Sequence, residues 1–168
     1  DETGWNINGF NHWLWKFSNK KICVSHIDKS RGQNVVDKMI GSKYKGVLIS
    51  DFLSAYNKIS AKAKQRCLVH ILRGLDKVTE YWHDDKEVMR YCERLKKILE
   101  DAITLYNEYK DKRWNKVYRS RRESIANSLN DFDFPNPNKR ILKRFAKRLK
   151  RHKEEILPFL YEKNIDYH

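Results

Sequence analysis

The run Gly46-Val47-Leu48-Ile49-Ser50, which ends in Asp51, constrains this chain more than any other segment. An apolar run of that length reads as a strand buried on both faces, the pattern of a sheet covered by helices. A strand that ends in aspartate presents its carboxylate beyond the sheet edge. The chain also opens on a carboxylate, in Asp1-Glu2-Thr3-Gly4-Trp5. Together Asp1 and Asp51 suggest an oxygen-only site for Mg²⁺ or Mn²⁺, and Mg²⁺ is usually held by one or two carboxylates plus substrate phosphates. The same Ser50-Asp51, standing before Phe52-Leu53-Ser54-Ala55-Tyr56, also reads as a helix N-cap. Glu2 lies beside Asp1, but alternation along a strand aims it at the opposite face and counts against it as a ligand.

Charge narrows the partner. Among 168 residues, 36 Lys and Arg stand against 22 Asp and Glu, a formal net charge of +14. Such an excess favours polyanions, nucleic acid first. Three scattered cysteines, Cys23, Cys67 and Cys92, form no disulfide framework and fit a reducing compartment. No apolar stretch is long enough to span a membrane, and no basic start leads into an apolar core. The chain begins abruptly in what reads as mid-strand, so it is expected to be a piece of a longer protein.

The first half alternates strand and helix signals. Asn6-Ile7-Asn8-Gly9 reads as a hairpin turn between a strand from Asp1 and a strand over 11–17. In the second strand Trp13, Trp15 and Phe17 share one face at period two and belong to the core. A third strand is predicted over 21–27, then a helix capped by Ser30 and stopped by Gly41, with Val35, Val36, Met39 and Ile40 on one face. The Val47 strand, a short helix over 52–59, a strand near 64–67 and a helix over 68–82 complete this part.

After His83 no strand signal remains. Met89, Cys92, Leu95, Leu99, Ala102, Tyr106 and Tyr109 form one helical stripe, and Trp114, Val117, Tyr118, Ile125 and Leu129 suggest a second. The loop 131–138 leads to a helix capped by Asn138, with Ile141, Leu142, Phe145 and Leu149 inward. Its remaining positions carry Lys139, Arg140, Lys143, Arg144, Lys147, Arg148, Lys150 and Arg151, with no acidic residue among them. A charge run is usually a solvated face, but one-signed charge of this density points to phosphate contact, salt-sensitive and independent of sequence. Arg121 and Arg122 add a second basic cluster. The organisation expected is residues 1–83 as an α/β core and 84–168 as a basic, all-helical insertion.

Several motifs then occur together: Asp1-Glu-Thr-Gly-Trp5, His12-Trp-Leu-Trp15, Ser30-Arg-Gly32, Gly46-Val-Leu-Ile-Ser-Asp51 with Ala55-Tyr-Asn57, and Gln65-Arg-Cys-Leu-Val-His70. In this order they resemble the catalytic domain of bacterial transposases of the insertion sequence 66 family, which are Asp-Asp-Glu transposases. The element order matches a ribonuclease H-like fold: a mixed five-stranded sheet with flanking helices, followed by the all-helical insertion. In that architecture the first and fourth strands are central neighbours, which brings Asp1 and Asp51 together.

The resemblance implies that Asp1 and Asp51 are the first and second catalytic and metal-holding aspartates, serving two Mg²⁺ or Mn²⁺ ions in the complete enzyme. It implies double-stranded DNA as partner, as transposon ends and target, a homodimer in the synaptic complex, and a bacterial cytoplasmic, nucleoid-associated location. The family's third acid is a glutamate after the helical insertion. Glu154, Glu155, Glu162 and Asp166 match no motif of it, so the third acid is expected beyond His168 and the fragment is expected to be incomplete. Glu154 and Glu155 read as solvent-facing. Cys67-x-x-His70 makes half a zinc site at most. It resembles a signature near the catalytic pocket of several transposase families, with Arg66 and Arg73 flanking it towards phosphate. Two alternatives remain open: a non-catalytic nucleic-acid-binding remnant of the same fold, and a structure-selective nuclease.

Overall fold

A computed structural model of the chain describes residues 1–132 and 140–168. Asn138, Lys139 and most of the loop read before the last helix lie outside the described residues, as do the side chains of Arg140 and Ile141. The chain forms two compact units, residues 1–63 and 64–168.

The first unit begins with β1 (Glu2–Ile7), β2 (Phe10–Ser18) and β3 (Cys23–Asp28), an antiparallel sheet in that order. Asn8 and Gly9 form the two-residue turn between β1 and β2, with φ of 51° and 83°. Both fall in the left-handed region that Asn and Gly tolerate, which is why Asn-Gly makes a tight hairpin here. The predicted core stripe is present. Trp15 is fully buried, Trp13 and Phe17 pack partly buried against the same cluster, and Trp15 meets Tyr56 edge-on at 6.3 Å.

Helix α1 (Gln33–Ile40) buries Val35 and Val36 and ends at Gly41, as expected. Its N-cap is Gly32 rather than Ser30. The Ser30 hydroxyl instead accepts from Gly32 N at 3.0 Å and donates to Asn34 Oδ1 at 2.8 Å. A Cβ on Gly32 would stand 2.7 Å from Asn34 Oδ1, so a side chain here would displace the Asn34 amide from its bond with Ser30.

Strand β4 (Lys43–Ser50) pairs with β5 (Ser60–Arg66) in a two-stranded parallel sheet. Leu48 is buried, while Val47 and Ile49 are half-buried. Between them a single 3-10 turn (Ser54–Tyr56) stands where a short helix was predicted. The strands expected in one mixed sheet are therefore all present but hydrogen-bonded as three plus two. Strand β1, expected at a sheet centre, exposes Thr3–Asn6, the pattern of an edge strand.

The second unit is helical: α2 (Leu68–Tyr81), α3 (Lys86–Tyr109), α4 (Lys116–Asn130) and α5 (Arg140–Arg151), followed by 3-10 turns at Lys153–Glu155 and Pro158–Leu160. Helix α3 packs on α2 and α4, and α2 on α5. Asp85 caps α3 by accepting from Glu87 N and Val88 N, and Asn115 caps α4 by accepting from Tyr118 N. The α3 stripe is the predicted one with small phase corrections: Val88 and Leu105 are buried beside Cys92, Leu95, Leu99 and Ala102. In α4 Tyr118 is fully buried and donates to Leu160 O at 2.7 Å, while Val117 is exposed. Burial pushes the Tyr118 hydroxyl up to about 12 and the Cys92 thiol up to about 11. Helix α2, expected in the α/β part that ends at residue 83, falls in the second unit, where Leu68, Ile71, Leu75 and Val78 are buried.

Candidate metal centre

In the first unit the side chains of Asp1, Glu2 and Asp51 converge. One carboxylate oxygen from each lies within 4.8 Å of the other two. Among the described residues this is the only group of His, Cys, Asp or Glu side chains arranged to hold a metal ion. Asp1 precedes β1 and pairs with β2 through Lys16, whose N–H donates to Asp1 O at 2.7 Å. Asp51 follows the last residue of β4, and its Oδ1 accepts from Leu53 N at 2.8 Å. That bond is the local capping interaction read from Ser50-Asp51, realised as a turn. It orients the Asp51 carboxylate.

Glu2 corrects the expectation from strand alternation. It pairs directly with Trp15 across the sheet, so it shares the buried face with that indole. Its side chain is only 2% exposed. Asp1 exchanges both backbone bonds with Lys16 and so continues the ladder, yet its carboxylate still reaches within 4.8 Å of the Glu2 and Asp51 carboxylates. Glu2 Oε1 accepts two bonds from Arg31, from Nε at 2.9 Å and Nη2 at 2.7 Å. Glu2 Oε2 is buried without a hydrogen-bond partner. A buried polar atom in that state costs about 1–3 kcal/mol, more when it carries charge.

Arg31 is itself held in place. Its guanidinium lies over the Trp13 ring at 4.3 Å, and the preceding Ser30 carbonyl accepts from Trp15 Nε1 at 3.2 Å. Asp28 Oδ1 accepts from Ser30 N at 2.8 Å, and this bond holds the Asp28 carboxyl below its usual range. Tyr56, from the Ala55-Tyr-Asn57 motif, is the other neighbour. Burial, and then the charges of Glu2 and Asp51, push its hydroxyl well above the ordinary tyrosine value, with Arg31 opposing. Sequence reasoning gave Glu2, Arg31 and Tyr56 no site role, although all three stand inside the motifs it singled out.

The cluster fits a hard divalent cation. Its donors are all oxygen, and opposite ligands of Mg²⁺ stand about 4.2 Å apart when each bond is about 2.1 Å. A spread of 4.8 Å or less is within a small side-chain adjustment of that geometry. Glu2, one of the three carboxylates, also carries an unmet buried acceptor oxygen.

The other predicted residues lie in the second unit, where several are already engaged. Arg66, read as a phosphate contact, is buried at 1% exposure, and its Nε donates to Glu155 Oε2 at 2.6 Å. Its Nη2 lies 3.2 Å from His152 Nδ1. Glu155, read as solvent-facing, is thus the counter-ion of an interior arginine. Cys67 is buried at the N-cap of α2 and His70 is half-buried one turn on. All three cysteines are free thiols. Arg73 is exposed. Arg121 pairs with Glu108 at 2.6 Å, and Arg122 pairs with Glu123 at 2.7 Å while lying over the Tyr161 ring. On α5, Lys143, Arg144, Lys147, Arg148, Lys150 and Arg151 are exposed, and Leu142, Ala146 and Leu149 are buried. That helix separates charge and core as its sequence predicts.

The carboxylate cluster and the one-signed basic helix lie in separate units of a mixed α/β protein. The family comparison is specific: the model of the Transposase IS66 family matches residues 1–168, and the chain belongs to that family. No curated protein and no solved structure matches it. No helix among the described residues is long and apolar enough to cross a membrane.

Proposed function

We propose that this chain carries the catalytic site of a DNA transposase, with Asp1 and Asp51 as its metal-holding aspartates and phosphodiester as its substrate. One observation carries the reading. Two aspartates from opposite ends of the first unit place carboxylate oxygens within 4.8 Å of each other. Membership of a transposase family supports DNA as substrate. The ribonuclease H-like reading rests on the order of elements along the chain and on the shared location of the two aspartates. A basic chain acting on DNA is proposed to work in the bacterial cytoplasm, at the nucleoid, as a homodimer that brings two transposon ends together.

When bound, two Mg²⁺ or Mn²⁺ ions supply Lewis-acid stabilisation of the attacking and leaving oxygens of an in-line displacement. The protein's part is positioning. Asp1 and Asp51 would hold the ions, with the Leu53 N–H orienting the Asp51 carboxylate. Water attacks first and a freed 3′-hydroxyl second, so no covalent protein intermediate is needed. The exposed cations of α5, in this reading, hold the DNA backbone through its phosphates.

The test has two arms. Mn²⁺ titration followed by paramagnetic broadening is expected to centre on Asp1 and Asp51, and Asp51→Asn is expected to remove it. Broadening centred on Cys67 and His70 would overturn the assignment. With Mn²⁺ and duplex DNA, strands joined to a target support a transposase. Cut but never joined strands support a structure-selective nuclease, and binding without either product supports a non-catalytic module.

A further inference from the structure

We propose that Glu2 supplies a third carboxylate oxygen to the divalent-cation site of Asp1 and Asp51, an inference that rests on the reading of those two aspartates as metal ligands. The argument begins with direction. Pairing of Glu2 with Trp15 sends its side chain to the buried face, where a carboxylate oxygen lies within 4.8 Å of those of both aspartates.

The second step concerns the Arg31 contact. A guanidinium that exists to neutralise a buried carboxylate commonly engages both oxygens in a parallel fork. Here Nε and Nη2 of Arg31 both donate to Oε1. Oε2 is left buried and without a hydrogen-bond partner, on a side chain only 2% exposed. A buried carboxylate oxygen calls for a donor or a cation. The groups that converge with Glu2 are the Asp1 and Asp51 carboxylates, and a hard dication is the ligand whose chemistry matches that all-oxygen set.

Arg31 therefore orients Glu2 without saturating it. The end-on contact, backed by Trp13, keeps Oε1 occupied and holds Oε2 for the ion. A third negative donor raises the charge count of the site, which favours divalent over monovalent cations and tightens binding.

Two measurements decide it. In the unsubstituted chain, carbon-detected NMR during Mg²⁺ titration is expected to move the Glu2 Cδ resonance in step with the Asp51 Cγ resonance. By electron paramagnetic resonance of free Mn²⁺, Glu2→Gln is expected to weaken binding about tenfold, while Asp51→Asn abolishes it. A Glu2 resonance that stays still while Asp51 moves, or Mn²⁺ affinity unchanged in a folded Glu2→Gln protein, overturns the proposal. Glu2 is then only the structural partner of Arg31, and the two-aspartate reading stands. If neither resonance moves, the metal reading itself fails and this inference with it. The first measurement needs no variant, so a Glu2→Gln protein that failed to fold would leave the test in force.

Discussion

Each unit contains an arginine–glutamate pair with one buried partner, and the two pairs are buried the opposite way round. In the first unit the carboxylate is interior and the guanidinium is nearly half exposed, with side-chain exposures of 2% for Glu2 and 47% for Arg31. In the second the guanidinium is interior, at 1% for Arg66 and 25% for Glu155. The surroundings differ accordingly. Around Arg66 the polar groups close on one another: Gln65 Nε2 donates to Arg66 O and Ile156 O, its Oε1 accepts from Phe159 N, and His152 lies against Nη2. Around Glu2 one oxygen is left over. The closed network fixes the end of β5 to the C-terminal turns, and the network around Glu2 leaves one buried acceptor unmet.

The strongest way to break this comparison is to remove the two arginines in turn. Arg66→Met is expected to destabilise the protein by about 3–5 kcal/mol, because Glu155 and His152 lose an interior partner. Arg31→Met is expected to cost less, about 1–3 kcal/mol, the cost of leaving Glu2 Oε1 without its donor. Added Mg²⁺ should recover part of the Arg31→Met loss and none of the Arg66→Met loss. Urea denaturation with and without Mg²⁺ measures both, and equal recovery in the two variants would erase the distinction.

A second test asks whether the units divide the labour of chemistry and DNA holding. Neutralising Arg144, Lys147, Arg148 and Arg151 together is expected to weaken binding across unrelated DNA sequences. The slope of log affinity against log salt should fall by about 3–4. Mn²⁺ binding should not change. If affinity and slope stay as they were, α5 is a solvated face and the DNA surface lies elsewhere.

The smallest effect is a pH dependence confined to the closed network. Burial first, and then the charge of Arg66, lower the His152 pKa from its ordinary 6.5, while Glu155 opposes. The unfolded chain therefore binds this proton more readily than the folded one. The stability that neutral His152 contributes is present above about pH 6.5 and is lost as pH falls towards the lower folded value. Urea midpoints between pH 7.5 and 5.5 should decline in the parent and flatten in His152→Gln. An identical decline in that variant would assign the dependence to another group.

Local signals in the sequence carry over well. Asn8-Gly9 fixes the first hairpin because few residues accept its backbone angles. Helices α2 and α3 follow from their apolar period, and the Trp13–Phe17 stripe from alternation. Ser30 shows where local reading slips: a plausible cap residue serves instead to lock the loop that carries Arg31. The candidate site divides the same way. Asp1 and Asp51 stand out because motifs and strand ends mark them. Glu2 does not, since its direction depends on pairing with Trp15 across the sheet.

The sequence by itself determined the order of elements, the family, the separation of carboxylates from the basic helix, and the two aspartates worth testing. These follow from patterns within a few residues of each other, where backbone preference and side-chain period act directly. Only the tertiary structure decided that Arg66 and Glu155 form an interior pair, that the strands ladder as three plus two, and that Glu2 joins the cluster with one oxygen unmet. Each of those depends on contacts between residues distant in the chain. Their burial and partners are set by how elements pack, which no local period encodes.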